Sequence, residues 1–466
     1  MPLLAIQPGA NSLVTEPVEA LTDEIEPIVV SAMGLLNSYA TVFIAAFLVT
    51  LLCTPLVRWL ALAGNVTDQP DGARKAHRYP VAYLGGVAVF LGLLVAVAVS
   101  YVYMDGLAAT YAPVPMAIVL GMAAIMFTGL ADDVWGLGPR LKIAGQLVAA
   151  AALAYHHIGV RVAAGLLKPV ASWLDPLLGS ENLVFDIPLP GGGAVTLDVI
   201  YWTGTALIAI FVLGGCNSAN LLDGLDGLLS GVVAIVALGL LAISVLMALQ
   251  GLPTDANPDE ALGGARVVLC LALLGAVLGF LPHNYNPASI FLGDCGSLLL
   301  GYVCVVIILM LGEYGHTHLV FAGLVVFSVP IMDTTLTIIR RWLAGTPISA
   351  ADDQHIHHQL RRALGGVKRA VSAVYGVSVA FAIVGVTLAA LVMRTQLRVR
   401  VVYAVALVLF GSIVVIAVKV ASRQRHLASG HEQRAGQAVQ ADQPVQPAKA
   451  EQSARANPVK PSSLRR

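Results

Sequence analysis

A chain of 466 residues that is 58% hydrophobic and only 12% charged is too apolar to fold as a water-soluble protein of that size. Its mean hydropathy is +0.81, and many apolar runs reach the ~20 residues that cross a bilayer. Formal net charge is zero, so no global field points to nucleic acid as a partner.

In chain order, residues 1–36 are acidic and contain proline, with no basic segment ahead of an apolar stretch. They read as a short exposed arm rather than a cleaved signal. About eleven apolar spans follow, near 37–62, 84–104, 114–131, 143–160, 199–216, 229–250, 265–281, 297–312, 318–340, 372–392 and 400–420. From about 422 the chain is rich in Gln, Ala, Pro, Arg and Ser without a periodic apolar face, the composition of a disordered tail. The predicted fold is an all-α polytopic membrane protein of about eleven transmembrane helices. It divides into an arm (1–36), an integral membrane domain (37–421) and a tail (422–466). The five cysteines lie in or beside apolar runs without CxxC spacing, so they read as small packing residues.

Orientation follows from Lys and Arg in the short loops. One side holds Arg74, Lys75, Arg78, Arg140, Lys142, Arg340, Arg341, Arg361, Arg362, Lys368 and Arg369. The other holds Arg161, Lys168, Arg394, Arg398 and Arg400. The first side is therefore cytoplasmic, with the N-terminus outside and the C-terminus inside. On the outer side, N-L-V-F-D-I-P-L-P, then G-G-G, then A-V-T-L-D-V-I predicts two short strands about a glycine turn, a small extracytoplasmic β-hairpin.

The chemistry concentrates in five cytoplasmic connections: 63–83, 131–142, 217–228, 282–296 and 341–371. Ordinary polar loops would place Asp, Asn and His motifs equally on the outer side, and the outer loops carry none. In the first, Arg74, Lys75 and His77 form a cationic patch suited to phosphate, although positive-inside charge alone also places cations there. Gly85 and Gly86 open the next span to close packing. In the second, Asp132 and Asp133 point about 100° apart on a helix. One can face a site while the other braces it, and their repulsion would raise one pKa toward that of a usable base. At a C-terminal helix end they oppose the macrodipole.

The third connection reads N-S-A-N-L-L-D-G-L-D-G. Asn217, Asn220, Asp223 and Asp226 recur every three residues, which lines them along one edge of a helical turn. A plain turn between membrane helices has no need of that register. The fourth offers Asn284, Phe291 with a flat face for a base, and Asp294 between Gly293 and Gly296 at the mouth of an apolar helix. That junction can present amides to phosphate, and Asp294 is a hard oxygen ligand suited to Mg²⁺. In the fifth, His355, His357 and His358 have zinc-ligand chemistry, but no cysteine or H-E-x-x-H helix accompanies them. A phosphate- and sugar-contacting cluster with Arg340 and Arg341 fits better. Asp333 lies inside the ninth span, either as a partner for those arginines or as a site residue. Carboxylates, a divalent cation, basic residues and a stacking aromatic at one membrane face suit phosphoryl transfer between a nucleotide and a lipid.

The motifs resemble those of the polyprenyl-phosphate N-acetylhexosamine-1-phosphate transferases. They are D-x-P-x-x-x-R-K-x-H at Asp68 to His77, Asp132-Asp133, N-x-x-N-x-x-D-G-L-D-G at Asn217 to Gly227, F-x-G-D-x-G-S at Phe291 to Ser297, and H-I-H-H at His355 to His358. Each alone is modest, but five in one order on one side are specific. The resemblance implies that Asp294 is the principal Mg²⁺ ligand, with Mn²⁺ as a substitute. It implies that Asp132 and Asp133 lie near the lipid phosphate, one as its base, and that Asn220 and Asp223 belong to the catalytic floor. It implies uridine contacts from Asp226, Asn284 and Phe291, and phosphate and sugar contacts from Lys75, Lys142, Arg340 and the three histidines.

The H-I-H-H form after A-D-D-Q looks like enzymes that use UDP-N-acetylglucosamine (UDP-GlcNAc) to start cell-surface polymers such as lipopolysaccharide or teichoic acid. The branch that makes lipid I tends to carry an uninterrupted histidine triplet, absent here. The implied reaction joins UDP-GlcNAc to undecaprenyl phosphate in a bacterial inner membrane and releases UMP, with the active site facing the cytoplasm. The rival donor is UDP-N-acetylmuramoyl-pentapeptide. A homodimer is expected without a motif to carry it. An ion-coupled transporter would place its carboxylates near the midplane, and a structural scaffold would not require the Asp-rich loops.

Overall fold

The structure is a computed structural model, and it describes residues 39–69, 80–103, 114–167, 183–188, 194–250, 263–345, 356–395 and 398–416, with a few isolated positions beside them. The expected arm and tail, and the cationic patch at Arg74, Lys75 and His77, lie outside the described residues, as does His355.

The helices are α1 (Ala40–Ala63), α2 (Gly85–Tyr103), α3 (Met116–Trp135), α4 (Pro139–Tyr155), α5 (Val199–Leu222), α6 (Leu228–Leu249), α7 (Gly263–Asn284) and α8 (Gly293–Met310). They continue as α9 (Thr317–Val326), α10 (Ser328–Ala344), α11 (Ile356–Leu364), α12 (Val367–Arg394) and α13 (Val399–Ile416). Among the described residues nine helices are long and apolar enough to cross a membrane. The pair α9–α10 is bent by 77°, the geometry of a broken span or a re-entrant loop. Helix α4 has 17 residues, at the lower limit of a crossing, and corresponds to the remaining run in the sequence. The protein is a helical multi-pass membrane protein with only small sheets.

The single span read at 318–340 is thus two helices. Pro330 has no N–H to donate to the carbonyl of Val326, four residues back, and its ring clashes with that carbonyl. Helix α9 ends at Val326, and α10 restarts at Ser328 with the proline in its first turn, where it is tolerated.

Helix α8 is the centre of the bundle and packs on α2, α3, α5, α6, α7 and α9. Every residue of α8 except Asp294 is buried. A helix apolar on all sides belongs inside a bundle rather than at its lipid face. Its approach to neighbours depends on small residues. A Cβ at Gly86 on α2 would lie 2.1 Å from the amide nitrogen of Gly296, and one at Gly129 on α3 would lie 2.4 Å from Cα of Cys295. Backbones that close leave no room for a side chain, as in many membrane helix pairs. The close packing expected at Gly85 and Gly86 is present.

Two small sheets accompany the helices. Strands β3 (Val184–Pro188) and β4 (Ala194–Asp198) pair antiparallel as the predicted hairpin. Strands β1 (Thr67–Asp68) and β2 (Val81–Ala82) form a second antiparallel pair, and Ala82 also bridges Ile290 in parallel. The five cysteines are free, and all but Cys53 are buried.

Candidate active site

The ends of α3, α4, α5 and α8 meet at one end of the bundle. Asp132 and Asp133 sit in the last turn of α3, one turn further into the helix than the sequence places its end. They divide the labour that adjacent helical positions allow. Asp133 turns toward α8, where its Oδ1 accepts from the amide of Asp294 at 2.8 Å and its Oδ2 from the amide of Cys295 at 3.0 Å. Those first-turn amides have no partner within their own helix, and the positive end of the α8 dipole favours the carboxylate. Asp132 lies beside the Asp294 carboxyl group, with its own Oδ2 2.6 Å from Lys142 Nζ.

Lys142, in the first turn of α4, also lies 2.5 Å from Asp294 Oδ2. Asp294 Oδ1 accepts from Asn220 Nδ2 at 2.8 Å, and the same amide nitrogen donates to Ser297 Oγ at 2.9 Å. Asp294 is therefore held from α4 and α5 while Asp133 holds the backbone beneath it. One turn deeper, Asn217 Nδ2 donates to Gln146 Oε1 at 2.8 Å, tying α5 to α4.

Asp223 caps the C-terminus of α5. Among the described residues its carboxylate has no hydrogen-bond or ion-pair partner. Burial, followed by the charges of Asp294, Asp133 and Asp226, pushes its pKa up to about 8. Among the described residues no three His, Cys, Asp or Glu side chains converge as a metal cage. Mg²⁺ does not require one, since it binds through one or two carboxylates and shares its other positions with phosphates and water. Asp294, together with an unpartnered carboxylate on which its charge acts, fits that demand.

The expected single edge from Asn217 to Asp226 does not form. Helix α5 ends at Leu222, and the chain turns through Gly227, which has φ +74°. Asp226 consequently faces the 285–289 loop. Its Oδ2 accepts from Asn286 Nδ2 at 2.8 Å and from the Ala288 amide at 3.0 Å. Asn284, buried, braces the turn. Its Oδ1 accepts from the Gly227 amide at 3.2 Å and from Ser230 Oγ at 2.8 Å, and its Nδ2 donates to the Ile290 carbonyl at 3.1 Å. Tyr375 on α12 donates to the Gly227 carbonyl.

Phe291 is fixed by its backbone, which donates to the Ala82 carbonyl at 2.8 Å and accepts from the Gly85 amide at 2.9 Å. Its ring lies 6.1 Å from that of Tyr83 at 55°. The structure therefore brings together Asp132, Asp133, Lys142, Asn220, Asp223 and Asp294, with Asn284 at the end of α7 and Asp226 and Phe291 on the loops beside them.

Arg340 lies in the final turns of α10, with one guanidinium nitrogen 3.4 Å from Thr337 Oγ1. His357 and His358 fall in the first turn of α11, and their side chains, like Lys75 and His355, lie outside what is described. Asp333 is buried on α10 and lines an apolar notch of about 40 Å³ with Leu222, Val329, Met332, Leu360, Val374 and Val377. Sequence reasoning missed Gln146, Ser230, Asn286 and Tyr375, and gave no role to Ser297, the last residue of the F-x-G-D-x-G-S motif. The first three stand within a turn or two of recognised motifs, but none of the four belongs to a charged or repeating pattern.

A second cavity, about 520 Å³, lies at the opposite end of the bundle beside His156, Arg161 and Glu313, and contains none of the predicted residues. Comparison with known proteins places the chain in a family. Residues 115–312, which carry both the Asp132-Asp133 pair and Asp294, match the family model described as glycosyl transferase family 4. The Bacillus subtilis (strain 168) protein named "Probable undecaprenyl-phosphate N-acetylglucosaminyl 1-phosphate transferase" is 32% identical over 323 residues, 68% of this chain and 76% of that protein. The chain belongs to glycosyl transferase family 4.

Within the family, a decaprenyl-phosphate N-acetylglucosaminephosphotransferase of Mycolicibacterium smegmatis is 32% identical over 368 residues, covering 73% of this chain and 79% of that protein. A phospho-N-acetylmuramoyl-pentapeptide-transferase of Bacillus cytotoxicus is 28% identical over 336 residues, covering 70% and 90%. The family is one of phosphosugar transferases.

Proposed function

We propose that this protein transfers N-acetylglucosamine-1-phosphate from UDP-GlcNAc to undecaprenyl phosphate, giving undecaprenyl-diphospho-GlcNAc and UMP. The observation that carries the reading is the Asp132–Lys142–Asp294–Asn220 network beside the buried Asp223, which has no partner among the described residues. Similarity to GlcNAc-named relatives at 32% identity, against 28% for a muramoyl-pentapeptide transferase, supports the donor. By the distribution of Lys and Arg, the acidic end faces the cytoplasm, where UDP-sugars reside.

A phosphate oxygen of the lipid attacks the sugar-proximal phosphorus. A new P–O bond forms there, the bond to the bridging oxygen breaks, and UMP leaves with that oxygen. Lys142 offers its ammonium to the diphosphate, and Asn220 and Ser297 keep Asp294 oriented. Asp133 holds the first turn of α8, which leaves Asp132 as the member of the pair that faces the lipid phosphate. Asp226, Asn284 and Phe291 form the nucleoside side of the site. Mg²⁺, bound through Asp294 with Asp223 beside it, would neutralise the diphosphate charge. A one-step attack is favoured because an ionised phosphate is already a nucleophile.

The test is UMP release by purified protein with undecaprenyl phosphate and Mg²⁺, with each donor in a separate reaction and Asp294→Asn as control. Turnover with UDP-GlcNAc only, lost on chelation and in the variant, is expected. Turnover with the muramoyl-pentapeptide donor only would move the protein to that branch. Activity that persists in EDTA would remove the metal from the mechanism.

A further inference from the structure

At the far end of the bundle from the acidic cluster, the hairpin β3–β4 segregates its side chains by face. Its register pairs Phe185 with Leu197 and Ile187 with Val195. Side chains alternate across a strand, so these four apolar residues share one face. The other face carries every polar side chain of the two strands, together with Val184 and Ala194. Thr196 Oγ1 donates to Asp186 Oδ1 at 2.7 Å, and Asp198 Oδ1 accepts from the Tyr201 amide at 2.9 Å. Ile187 is 50% exposed, Val195 52% and Leu197 37%. An isolated two-stranded hairpin is marginal in water, and an uncovered apolar face adds to the cost.

The chain indicates what covers it. Asp198 ends β4 and Val199 begins α5, a membrane span, with no loop between them. In the first turn of that helix Trp202 is exposed, and the neighbouring Tyr201 ring packs 5.5 Å from that of His157 in the turn after α4. Tyr155, at the end of α4, is exposed as well. Exposed Trp and Tyr at span ends mark the headgroup level. A five-residue strand reaches only about 17 Å, so the whole apolar face lies within that distance of the headgroups. The exposed stripe of α5, Trp202, Ala206, Ile210 and Gly214, recurs every four residues and continues the lipid-facing belt toward Leu197.

We propose that the Phe185–Ile187–Val195–Leu197 face of the hairpin rests on the bilayer at the headgroup–acyl boundary. It forms an interfacial platform at the end opposite the acidic site. The described strands contain two aspartates and no Lys or Arg. Docking is therefore apolar rather than electrostatic, unlike a basic interfacial helix, and is independent of anionic lipid.

Nitroxide labels placed by Ile187→Cys, Val195→Cys, Leu197→Cys and Thr196→Cys, each in a Cys53→Ala background, test this in nanodiscs. The discs are phosphatidylcholine alone or mixed with phosphatidylglycerol. At 187, 195 and 197, collision with oxygen is expected to exceed collision with a water-soluble nickel chelate several-fold more than at 196, equally in both lipids. Three probed positions keep the result readable if one label disturbs the strand. Nickel access at 195 equal to that at 196 would place the face in water. Exclusion of both relaxants would mean that protein covers it, and dipolar broadening between labels would mean a second copy does. Each of these three results overturns the proposal.

Discussion

At the residue scale, Asp133 and Asp132 are neighbours with different duties, and substitution separates them. Asp133→Asn keeps one acceptor for two amides, so thermal unfolding in detergent should show a loss of about 1–2 kcal/mol, the range of a helix-cap defect. Asp132→Asn should leave stability near that of the parent while activity falls. Asp294→Asn is expected to lower kcat by on the order of 10²–10³-fold, the scale of removing one preorganised electrostatic group. Asp223 makes a pH prediction. Its pKa is raised to about 8, so below pH 8 the metal-free carboxylate holds a proton that a cation must displace. On the proposed reading, Mg²⁺ affinity measured from titrations of activity should rise up to about tenfold per pH unit below pH 8 and level off above it. Asp223→Asn should abolish that slope. The carboxylates themselves were legible in the sequence because a charge inside an apolar chain is conspicuous. Gln146 was not, because a lone amide on an otherwise apolar helix gives no pattern.

At the element scale, the site depends on how closely α8 is approached. Gly86→Ala or Gly129→Ala would push a Cβ into the backbone of α8 at Gly296 or Cys295, beside Asp294. Overpacking of this kind costs about 1–3 kcal/mol. Reduced thermal stability together with lost turnover is expected, whereas Gly138→Ala, whose Cβ would meet nothing within 4 Å, should change neither. The multi-pass helical character was readable from apolar run length, but helix ends were not. Asp133 extends the order of α3 into the acidic end by bonding another helix, and periodicity carries no record of such a partner. The break before Pro330 was in the sequence as a single residue, masked by the unbroken apolar run around it.

At the scale of the whole molecule, the acidic cluster lies at one end of a bundle whose opposite end is held by other means. There Arg266, fully buried, donates to the Met310 carbonyl at 3.0 Å and to Glu313 at 2.9 Å. Breaking a buried pair of this type costs about 3–5 kcal/mol, so Glu313→Ala should lower the unfolding midpoint while kcat of the surviving folded fraction is unchanged. That the second, third and fourth connections would meet could be argued from their shared side. The pairing that unites them could not, because Lys142 reads as ordinary positive-inside charge until Asp132 and Asp294 are seen on either side of it.

That lysine has a consequence for the order in which visitors are received. With its ammonium lodged between Asp132 and Asp294, the empty cleft already contains its own counter-ion, on a tether. A bare divalent ion competes poorly with a resident that never diffuses away. A nucleotide diphosphate gives Lys142 somewhere else to point, and vacates the seat in the same act. Ion and nucleotide should therefore arrive in company: Mn²⁺ retention in equilibrium dialysis should be weak alone and strong with UDP, and Lys142→Met should narrow the difference.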